Sequence, residues 1–364
     1  MIFSPDDARH MARALQLAQR GLYTTDPNPR VGCVIVKDGA VIGEGWHERA
    51  GEPHAEILAL RVAGEAARGA TVYLTFEPCC HHGRTPPCTR ALIEAGVARV
   101  VSAMLDPNPR VAGKGFAELE AAGIAVQQGL MEAEAAILNP GFIARMRDGR
   151  PFVRVKLAAS LDGRTALVNG ESKWITSPAA RMDVQRWRAR SSVILTGIET
   201  VLADDPSLTV RELGIARTPL RVVLDSRLRC PPHAKVLQRP AATVVITTGA
   251  DGPAAMALRA AGAEVVALAE QEGRVPLAEM LRHLAARDVN EILVEAGPTL
   301  SGALLRAGLV DELVLYYAAH VMGAAARGML EIGVLTSMEE RVPLVLSDVR
   351  RMGPDLRIIA RPVK

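Results

Sequence analysis

The amino-acid sequence predicts an α/β protein built from two domains. Runs rich in β-branched residues alternate with helical patterns along the chain, which is typical of layered α/β folds. The length of 364 residues exceeds what a single hydrophobic core usually organises. A polar stretch containing Gly149 and Pro151 separates two such alternating regions. We therefore place one domain at residues 1–148 and a second at residues 149–364.

The first region begins with a helix. Ser4 is a typical N-cap, Pro5 suits the first helical turn, and Asp6 and Asp7 complement the helix dipole. The turn Asp38-Gly39 between two apolar runs predicts a β-hairpin. The predicted elements are helix 5–19, strands 31–36 and 41–42, helix 54–66, strand 71–76, helix 89–96, strand 97–104, helix 115–122 and strand 124–127.

The second region continues the alternation. Its predicted elements are strand 152–158, a hairpin turn at Asn169-Gly170, helix 177–189, strands 193–196, 221–224, 242–247, 264–267 and 291–295, a helix from about Thr299 and strand 312–317. The sequence contains no Gly-x-Gly-x-x-Gly fingerprint, so a standard Rossmann dinucleotide site is not expected.

Composition limits the possible partners. The net charge of +3 is too small to indicate a nucleic-acid partner, and the basic residues are spread along the chain. No apolar run approaches the roughly 18 residues of a membrane helix. The N-terminus lacks the basic-then-apolar order of a signal peptide. We therefore expect a cytoplasmic protein with no nucleic-acid or membrane partner.

Three of the five cysteines lie in the twelve residues EPCCHHGRTPPC, positions 77–88. A disulfide, a bound metal and a reactive thiol are the candidate explanations. A reducing cytoplasm disfavours the disulfide.

A zinc site is the interpretation that the surrounding pattern favours. His54 opens a predicted helix, Cys88 precedes another, and Cys79 follows a predicted strand, so these side chains are expected to converge. One imidazole and two thiolates suit Zn²⁺ and leave its fourth position open. Glu56 is then placed to carry protons for the reaction. His54-x-Glu56 and Pro78-Cys79 match the zinc-deaminase signature in part, because the second cysteine comes nine positions later instead of three.

The alternative is a structural cluster. In that case Cys80, His81 or His82 completes the coordination, and Glu56 is an ordinary surface carboxylate.

The hexapeptide DPNPRV occurs twice, at 26–31 and at 106–111. The two copies are expected to form similar turns beside strands, because each proline restricts its own backbone and that of the preceding residue. Asn28 in the first copy is also a candidate functional residue.

Longer motifs resemble one enzyme family. Residues 51–56 and 77–88 resemble the deaminase half of the bifunctional riboflavin-biosynthesis deaminase/reductases. Residues 27–33, 155–165, 172–176, 200–206 and 294–299 extend the resemblance across both domains. The family commonly has Ser at position 80, so Cys80 is a spare thiol beside the expected site.

The resemblance implies a cytidine-deaminase-like three-layer αβα domain followed by a dihydrofolate-reductase-like α/β domain. The first domain would use Zn²⁺ to deaminate 2,5-diamino-6-ribosylamino-4(3H)-pyrimidinone 5′-phosphate. The second would use NADPH to reduce the ribosyl group of the product to ribityl. We expect a small-molecule substrate and a homo-oligomer, either a dimer or a tetramer.

The resemblance also implies roles for individual residues. The substrate contacts in the first domain are Asn28, His47, His81 and Arg84. Those in the second domain are Ser172, Arg188, Leu208, Arg211 and Glu295, and the cofactor contacts are Ala158, Trp174, Thr200 and Asp204. Gly297 and Thr299 at a predicted helix start are further candidates for binding cofactor phosphate. Lys156 is predicted to hold the substrate or polarise an imine. The alternatives are solvated loop positions for the four substrate contacts of the first domain, a core position for Trp174 and a solvated strand position for Lys156.

Two other functions are compatible with the sequence. One is a deaminase whose second domain has lost reduction. The other is a zinc-stabilised module for nucleic-acid binding or editing, which the near-neutral charge and the absence of basic-aromatic runs disfavour.

Overall fold

A computed structural model of the chain describes residues 3–81, 86–215 and 217–363. The chain divides into two compact units, the first ending at Arg150 and the second beginning at Pro151. The first unit contains α1 (Pro5–Arg20), β1 (Gly32–Lys37), β2 (Ala40–Trp46), α2 (Ala55–Ala63), β3 (Thr71–Leu74), α3 (Cys88–Glu94), β4 (Arg99–Ser102), α4 (Lys114–Ala121), β5 (Ala125–Gln128), α5 (Glu132–Leu138) and α6 (Pro140–Asp148).

A five-stranded sheet of order β2-β1-β3-β4-β5 forms the middle layer of the first unit. Strand β1 is antiparallel to both of its neighbours, whereas β3, β4 and β5 are parallel. Alternate residues of β1 enter two different cores, Val34 with α1 on one face and Ile35 with α2 on the other. Because successive strand side chains point to opposite faces, this alternation produces the three-layer αβα arrangement.

Helix α2 lies unusually close to the hairpin strand β2. A Cβ at Gly45 would lie 2.4 Å from the Ala55 carbonyl oxygen, and one at Gly43 would lie equally close to that of Ala59. Only glycine permits such an approach between backbones. The start of α2, where His54 lies, is therefore held tightly against the sheet.

The second unit is larger and contains a nine-stranded sheet. Its elements are β6 (Phe152–Ser160), β7 (Arg164–Ala166), α7 (Pro178–Arg190), β8 (Val193–Gly197), α8 (Ile198–Asp204), β9 (Leu220–Leu224), β10 (Thr243–Thr247), α9 (Pro253–Ala260), β11 (Glu264–Ala267), α10 (Leu277–Ala285), β12 (Glu291–Val294), α11 (Pro298–Arg306), β13 (Glu312–Ala318), β14 (Arg327–Gly328), β15 (Leu344–Met352) and β16 (Asp355–Pro362).

The strand order of this sheet is β11-β10-β9-β8-β12-β6-β13-β16-β15. All neighbours are parallel up to β13, and the last two strands are antiparallel. The central strands are buried on both faces, with Val155, Leu195 and Val294 in one continuous core. The carboxyl ends of β8, β12 and β6 therefore lie side by side, which is the usual position of a ligand site in such a sheet.

The predicted α/β class and most predicted elements are confirmed. Helix α1 begins at Pro5 with a capping box between Ser4 and Asp7. The prediction of a hairpin at Asn169-Gly170 is wrong. A turn forms at 167–171, but the preceding strand β7 pairs with the distant β14 and not with a strand that follows the turn. Helices α5, α6, α8, α9 and α10 and the β15–β16 hairpin were not predicted. Helix α6 extends into the polar stretch in which the sequence predicts the domain boundary.

No helix in the described ranges is both long and apolar enough to span a bilayer.

Candidate metal centre and second functional site

Three side chains predicted as metal ligands meet at one point in the first unit. His54 is the N-cap of α2, Cys88 is the first residue of α3, and Cys79 follows β3. Their ligand atoms all lie within 4.8 Å of one another. His54 Nδ1 is 3.3 Å from Cys88 Sγ and 3.5 Å from Cys79 Sγ. Two helix starts and a strand end thus place one nitrogen and two sulfurs at the spacing of a metal site.

The protonation of this cluster fits a bound cation. Hydrogen bonding from Cys88 lowers the pKa of the Cys79 thiol to about 4, and hydrogen bonding from His54 acts in the same direction. Hydrogen bonding to Cys79 and burial raise the pKa of the Cys88 thiol well above its usual value. The His54 imidazole and the two thiols are therefore joined by hydrogen bonds through shared protons. A divalent cation can replace those protons, because metal ligands bind in their deprotonated forms.

Glu56 lies in the first turn of α2, two residues beyond His54. Its side chain is 3% exposed, and its Oε2 has no hydrogen-bond partner. Burial raises the pKa of this carboxyl group. A buried acceptor without a partner is rare in a folded protein and indicates a functional site. The alternative that Glu56 is an ordinary surface carboxylate is wrong.

His47 and Asn28 form a pair beside the cluster. The ring of His47 meets that of His54 edge-on at a centroid distance of 5.2 Å. Its Nδ1 donates to the Pro53 carbonyl oxygen at 3.2 Å, so Nε2 accepts from the Asn28 amide at 3.1 Å. Burial lowers the pKa of His47 and favours this neutral form. The first DPNPRV copy therefore reaches the cluster through Asn28.

The second DPNPRV copy makes different contacts. Asn108 Oδ1 accepts from the main chain of Arg110 in its own loop, and Asp106 accepts from Asn108. The two copies are both turns beside strands, as predicted. The first copy contacts His47 through Asn28, whereas the second contacts Glu77 through the main chain of Asp106.

The candidates for a fourth protein ligand do not join the cluster. Within the described residues, neither Cys80 nor His81 belongs to the group of ligand atoms around His54. His81 Nδ1 is buried without a hydrogen-bond partner. His82 and Arg84 lie outside the described residues. All five cysteines are free, so the disulfide alternative is wrong.

A second group of charged side chains lies at the carboxyl ends of the central strands in the second unit. Arg188 of α7 holds Glu295, which follows β12, through two hydrogen bonds of 2.6 and 2.9 Å. Lys156 of β6 is half-buried, and burial lowers its pKa while Glu295 raises it. The alternative that Lys156 is a solvated strand residue is therefore wrong.

The loop of residues 205–211 borders this charged group. Arg188 donates to the Thr209 carbonyl at 3.0 Å, and the Arg211 main chain donates to Gln185 of α7 at 3.0 Å. Arg221 of β9 is fully buried and donates to the Ser207 carbonyl at 3.1 Å. These three side chains hold the loop against α7 and the sheet. The role of Gln185 and Arg221 in holding this loop was not predicted, since nothing in the local sequence pattern connects them with residues 205–211.

Two residues of this loop differ in what they offer a ligand. The Arg211 side chain is exposed. Leu208 is 3% exposed and packs in the core with Ile198 and Val201. The main chain of Leu208 is therefore the part of this residue that is available to a substrate.

Four of the predicted cofactor contacts lie in helices α8 and α11 or at the N-cap of α11. Thr200 Oγ1 accepts from the Gly297 main chain at 3.2 Å, which joins the starts of α8 and α11. The Thr299 hydroxyl donates to Glu331 at 2.7 Å, and Asp204 pairs with Lys173 at 3.6 Å.

The remaining predicted contacts are placed as follows. Ser172 and Ala158 are half-buried. Trp174 is 73% exposed with the Arg181 guanidinium 4.5 Å from its ring centroid, so the core alternative is wrong.

Comparison with known proteins connects both sites with known families. Residues 4–104 match the model described as the cytidine and deoxycytidylate deaminase zinc-binding region. Residues 151–358 match the RibD C-terminal domain. The fold and the metal centre thus define a zinc-dependent deaminase joined to a reductase, an enzyme with two activities that uses Zn²⁺ and NADPH.

Relatives match over nearly the full length. The riboflavin biosynthesis protein RibD of Escherichia coli K12 is 51% identical, covering 96% of this chain and 98% of its own length. That of Haemophilus influenzae is 46% identical, covering 99% and 98%. A structure of Acinetobacter baumannii RibD superposes with a TM-score of 0.92 at 47% identity, covering 99% of each chain. The chain belongs to the RibD family, whose members are bifunctional deaminase/reductases of riboflavin biosynthesis. Neither the inactive-reductase nor the nucleic-acid alternative is favoured.

Proposed function

We propose that the first unit hydrolytically deaminates 2,5-diamino-6-ribosylamino-4(3H)-pyrimidinone 5′-phosphate and that the second unit then reduces the ribosyl group to ribityl. The supporting observation is the convergence of His54, Cys79 and Cys88 beside the unpartnered carboxylate oxygen of Glu56. A Thermotoga maritima protein that is 35% identical, with a TM-score of 0.87 and coverage of 98% and 99%, is described as a diaminohydroxyphosphoribosylaminopyrimidine deaminase/5-amino-6-(5-phosphoribosylamino)uracil reductase.

In the deaminase unit, Zn²⁺ held by His54, Cys79 and Cys88 supplies Lewis-acid activation of water near neutral pH. Glu56 accepts one proton from that water and delivers it to the ring nitrogen, and it then transfers the second proton, from the newly bonded hydroxyl group, to the leaving amine. A carbon–oxygen bond forms, the carbon–nitrogen bond breaks, and ammonia leaves. The raised pKa of Glu56, caused by its burial, suits a group that must both take and return a proton.

Asn28 and His47 are proposed substrate contacts of the deaminase unit, as the family resemblance implies. Asn28 faces the substrate, and His47 fixes the Asn28 amide because both of its ring nitrogens are engaged. His81 and Arg84 complete the contacts, as the family resemblance implies. A planar guanidinium suits the substrate's phosphate or ring carbonyl.

NADPH bound to the reductase unit would supply a hydride to C1′ of the ring-opened sugar imine, and the imine nitrogen would take up a proton from solvent. Lys156 polarises the imine, and Glu295 is oriented toward the sugar by its paired hydrogen bonds from Arg188. Arg211 takes the phosphate, because its guanidinium is exposed whereas three N–H groups of Arg188 are already used.

The other contacts of the reductase unit follow the family resemblance. Ser172 and the main chain of Leu208 complete the substrate contacts. The proposed NADPH contacts are Ala158, Trp174, Thr200, Asp204, Gly297 and Thr299.

The test is incubation of the purified protein with the diaminopyrimidine phosphate, with and without NADPH, followed by mass analysis. Without NADPH, only the deaminated compound and ammonia should form. With NADPH, the reduced ribityl compound should follow. Treatment with a zinc chelator should stop ammonia release but leave reduction of supplied deaminated product intact. Reduction of the diamino compound before deamination would contradict the proposed order.

We also propose that the protein acts as a homo-oligomer in the cytoplasm. The outer strand β15 exposes Leu344, Val345, Leu346 and Val349, which are 41–60% accessible. An edge strand with exposed apolar side chains is a common pairing surface, and a second copy related by twofold symmetry can cover it. A reducing cytoplasm would keep the ligand thiols free.

A further inference from the structure

Glu77 is a buried carboxylate beside the metal centre that no role described so far explains. It follows β3, lies two residues before Cys79, and is 4% exposed. Its carboxylate accepts four main-chain N–H groups. Oε2 accepts from Asp106 at 3.1 Å and from Gly113 at 2.9 Å, and Oε1 accepts from Gly115 at 2.9 Å and from Phe116 at 3.4 Å.

Three of these donors belong to the start of α4. Gly113 is its N-cap, with the left-handed φ of +85° that favours glycine, and Gly115 and Phe116 lie in the first turn. The first N–H groups of a helix have no partner within the helix, and the helix dipole favours a negative charge there. Glu77 therefore caps α4 from a different element of the fold.

Further contacts connect α4, which Glu77 caps, with the segments that carry Cys79 and Cys88. A Cβ on Gly115 would lie 2.3 Å from the Pro78 carbonyl oxygen, so α4 lies directly against the residue before Cys79. Thr89 of α3 donates through its main chain to the Cys79 carbonyl at 3.2 Å and through its hydroxyl to Glu118 of α4 at 2.9 Å. The main chain around Cys79 is thus held between α4 and the start of α3.

We infer that Glu77 is a positioning residue that holds Cys79 and Cys88 at the spacing of the metal site, an inference that rests on the deaminase function proposed above. The second DPNPRV copy and the residues after it, 106–116, serve as the partner of Glu77. Of the second copy itself, Asp106 supplies one of the four N–H donors, and the other three come from the residues that follow it.

The first test replaces Glu77 by Gln. Glutamine keeps the side-chain length, but it replaces one carboxylate oxygen by an NH₂ group. This NH₂ group cannot accept hydrogen bonds from the main-chain N–H groups that the oxygen binds in the parent protein. We expect the affinity for Zn²⁺, measured by competition with a chelator, to fall about tenfold or more, as is usual when a group supporting a metal ligand is lost. The visible spectrum of the Co²⁺-substituted protein should shift, because the positions of the thiolates change. Reduction of supplied deaminated product in the other unit should be unchanged.

Glu120→Gln is the matched control. Glu120 lies on α4 and is exposed, so this change removes the same charge without altering the cap. It should leave Zn²⁺ affinity and the Co²⁺ spectrum as in the parent protein. A Glu77→Gln protein with lowered thermal stability but parental Zn²⁺ affinity and spectrum would overturn the inference, since Glu77 would then be a helix cap alone.

A second variant keeps the inference testable if Glu77→Gln does not fold. Gly115→Ala retains the Glu77 carboxylate, but its Cβ would clash with the Pro78 carbonyl oxygen. It should therefore weaken Zn²⁺ binding, as Glu77→Gln does. Ala117→Gly, at an exposed position of α4, lowers helix propensity by about 1 kcal/mol without approaching Pro78. Equal Zn²⁺ affinities for these two variants would also overturn the inference. A parent protein that binds no Zn²⁺ would instead contradict the proposed function itself.

Discussion

Glu56 and Glu77 show how surroundings give the same side chain two roles. Both are nearly inaccessible to solvent, yet Glu77 accepts four main-chain N–H groups whereas Glu56 has an oxygen without a partner. A fully hydrogen-bonded carboxylate is held in place and stabilises structure, while an unpartnered one is available for proton transfer. Residue type alone does not separate these two roles.

Replacement of Glu56 by Gln should abolish ammonia release. Glutamine retains the shape of the side chain but cannot accept and return a proton, so we expect a loss of at least about a hundredfold in kcat. Zinc content by metal analysis should stay at the parental level. Glu52→Gln is the control, because Glu52 is exposed and pairs with Arg49 on the surface. Normal turnover of the Glu56→Gln protein would remove Glu56 from the mechanism.

Asp7 makes the first unit sensitive to acid. Hydrogen bonds from Arg99 hold the pKa of this buried carboxyl well below its usual value, and hydrogen bonds from Ser4 and Tyr73 add to the effect. The pKa of Asp7 is lower in the folded state than in the unfolded state, where it is 3.8, so the ionised carboxylate stabilises the fold fully at pH values above 3.8. This stabilisation is lost as the pH falls toward the pKa of the folded state.

Asp7→Asn should therefore lower the free energy of unfolding of the first unit by about 2 kcal/mol at pH 7. The difference from the parent protein should shrink as the pH falls below 4, as measured by urea unfolding at a series of pH values. Asp6→Asn serves as the control, because Asp6 is exposed and forms only a surface pair with Arg9. Equal losses for the two variants at pH 7 would contradict the role given to Asp7.

At the scale of elements, the loop of residues 205–211 depends on its neighbours for its shape. Its main chain is hydrogen-bonded to Gln185 and Arg188 of α7 and to Arg221 of β9. Loops that carry binding residues are usually positioned by such rigid elements. Substrate binding by Arg211 should therefore respond to changes on α7 that never touch the substrate.

Gln185→Leu removes the acceptor for the Arg211 main chain while nearly conserving volume. We expect the KM of the reductase for its pyrimidine substrate to rise about fivefold, the equivalent of one hydrogen bond of about 1 kcal/mol. The KM for NADPH and the rate of deamination should be unchanged. Ala179→Ser, at an exposed position of α7, is the control. A rise in the KM for NADPH as large as that for the pyrimidine would indicate a general distortion of the unit instead.

At the scale of the whole molecule, the outer strand β15 of the nine-stranded sheet is the surface through which two copies are proposed to pair. Leu346→Arg in β15 should lower the molecular mass in solution, as measured by light scattering after size-exclusion chromatography, because a buried charge would oppose pairing of two copies. Val62→Lys is the control, since Val62 is an exposed apolar residue of the first unit. An unchanged mass for the Leu346→Arg protein would exclude β15 from the interface.

The α/β class and most of the elements could be predicted from the sequence, because caps, turns and hydrophobic periodicity act within a few residues. Ser4 and Pro5 begin α1, and Asp38-Gly39 forms the first hairpin, as predicted. His54, Cys79 and Cys88 were recognisable because short motifs carry their chemistry. That these three approach within 4.8 Å follows from where helix and strand ends meet.

The contacts between distant segments could not be predicted from the sequence, because they are set by tertiary packing. Strand β7 pairs with β14 across some 160 residues, and Glu77 meets the backbone of 106–116. Leu208 lies in the core although its loop borders the charged group of the second unit. Such partners are chosen by packing and by the need of every buried polar group for a hydrogen bond. Local propensity carries no information about either, since both depend on residues that are remote in the chain.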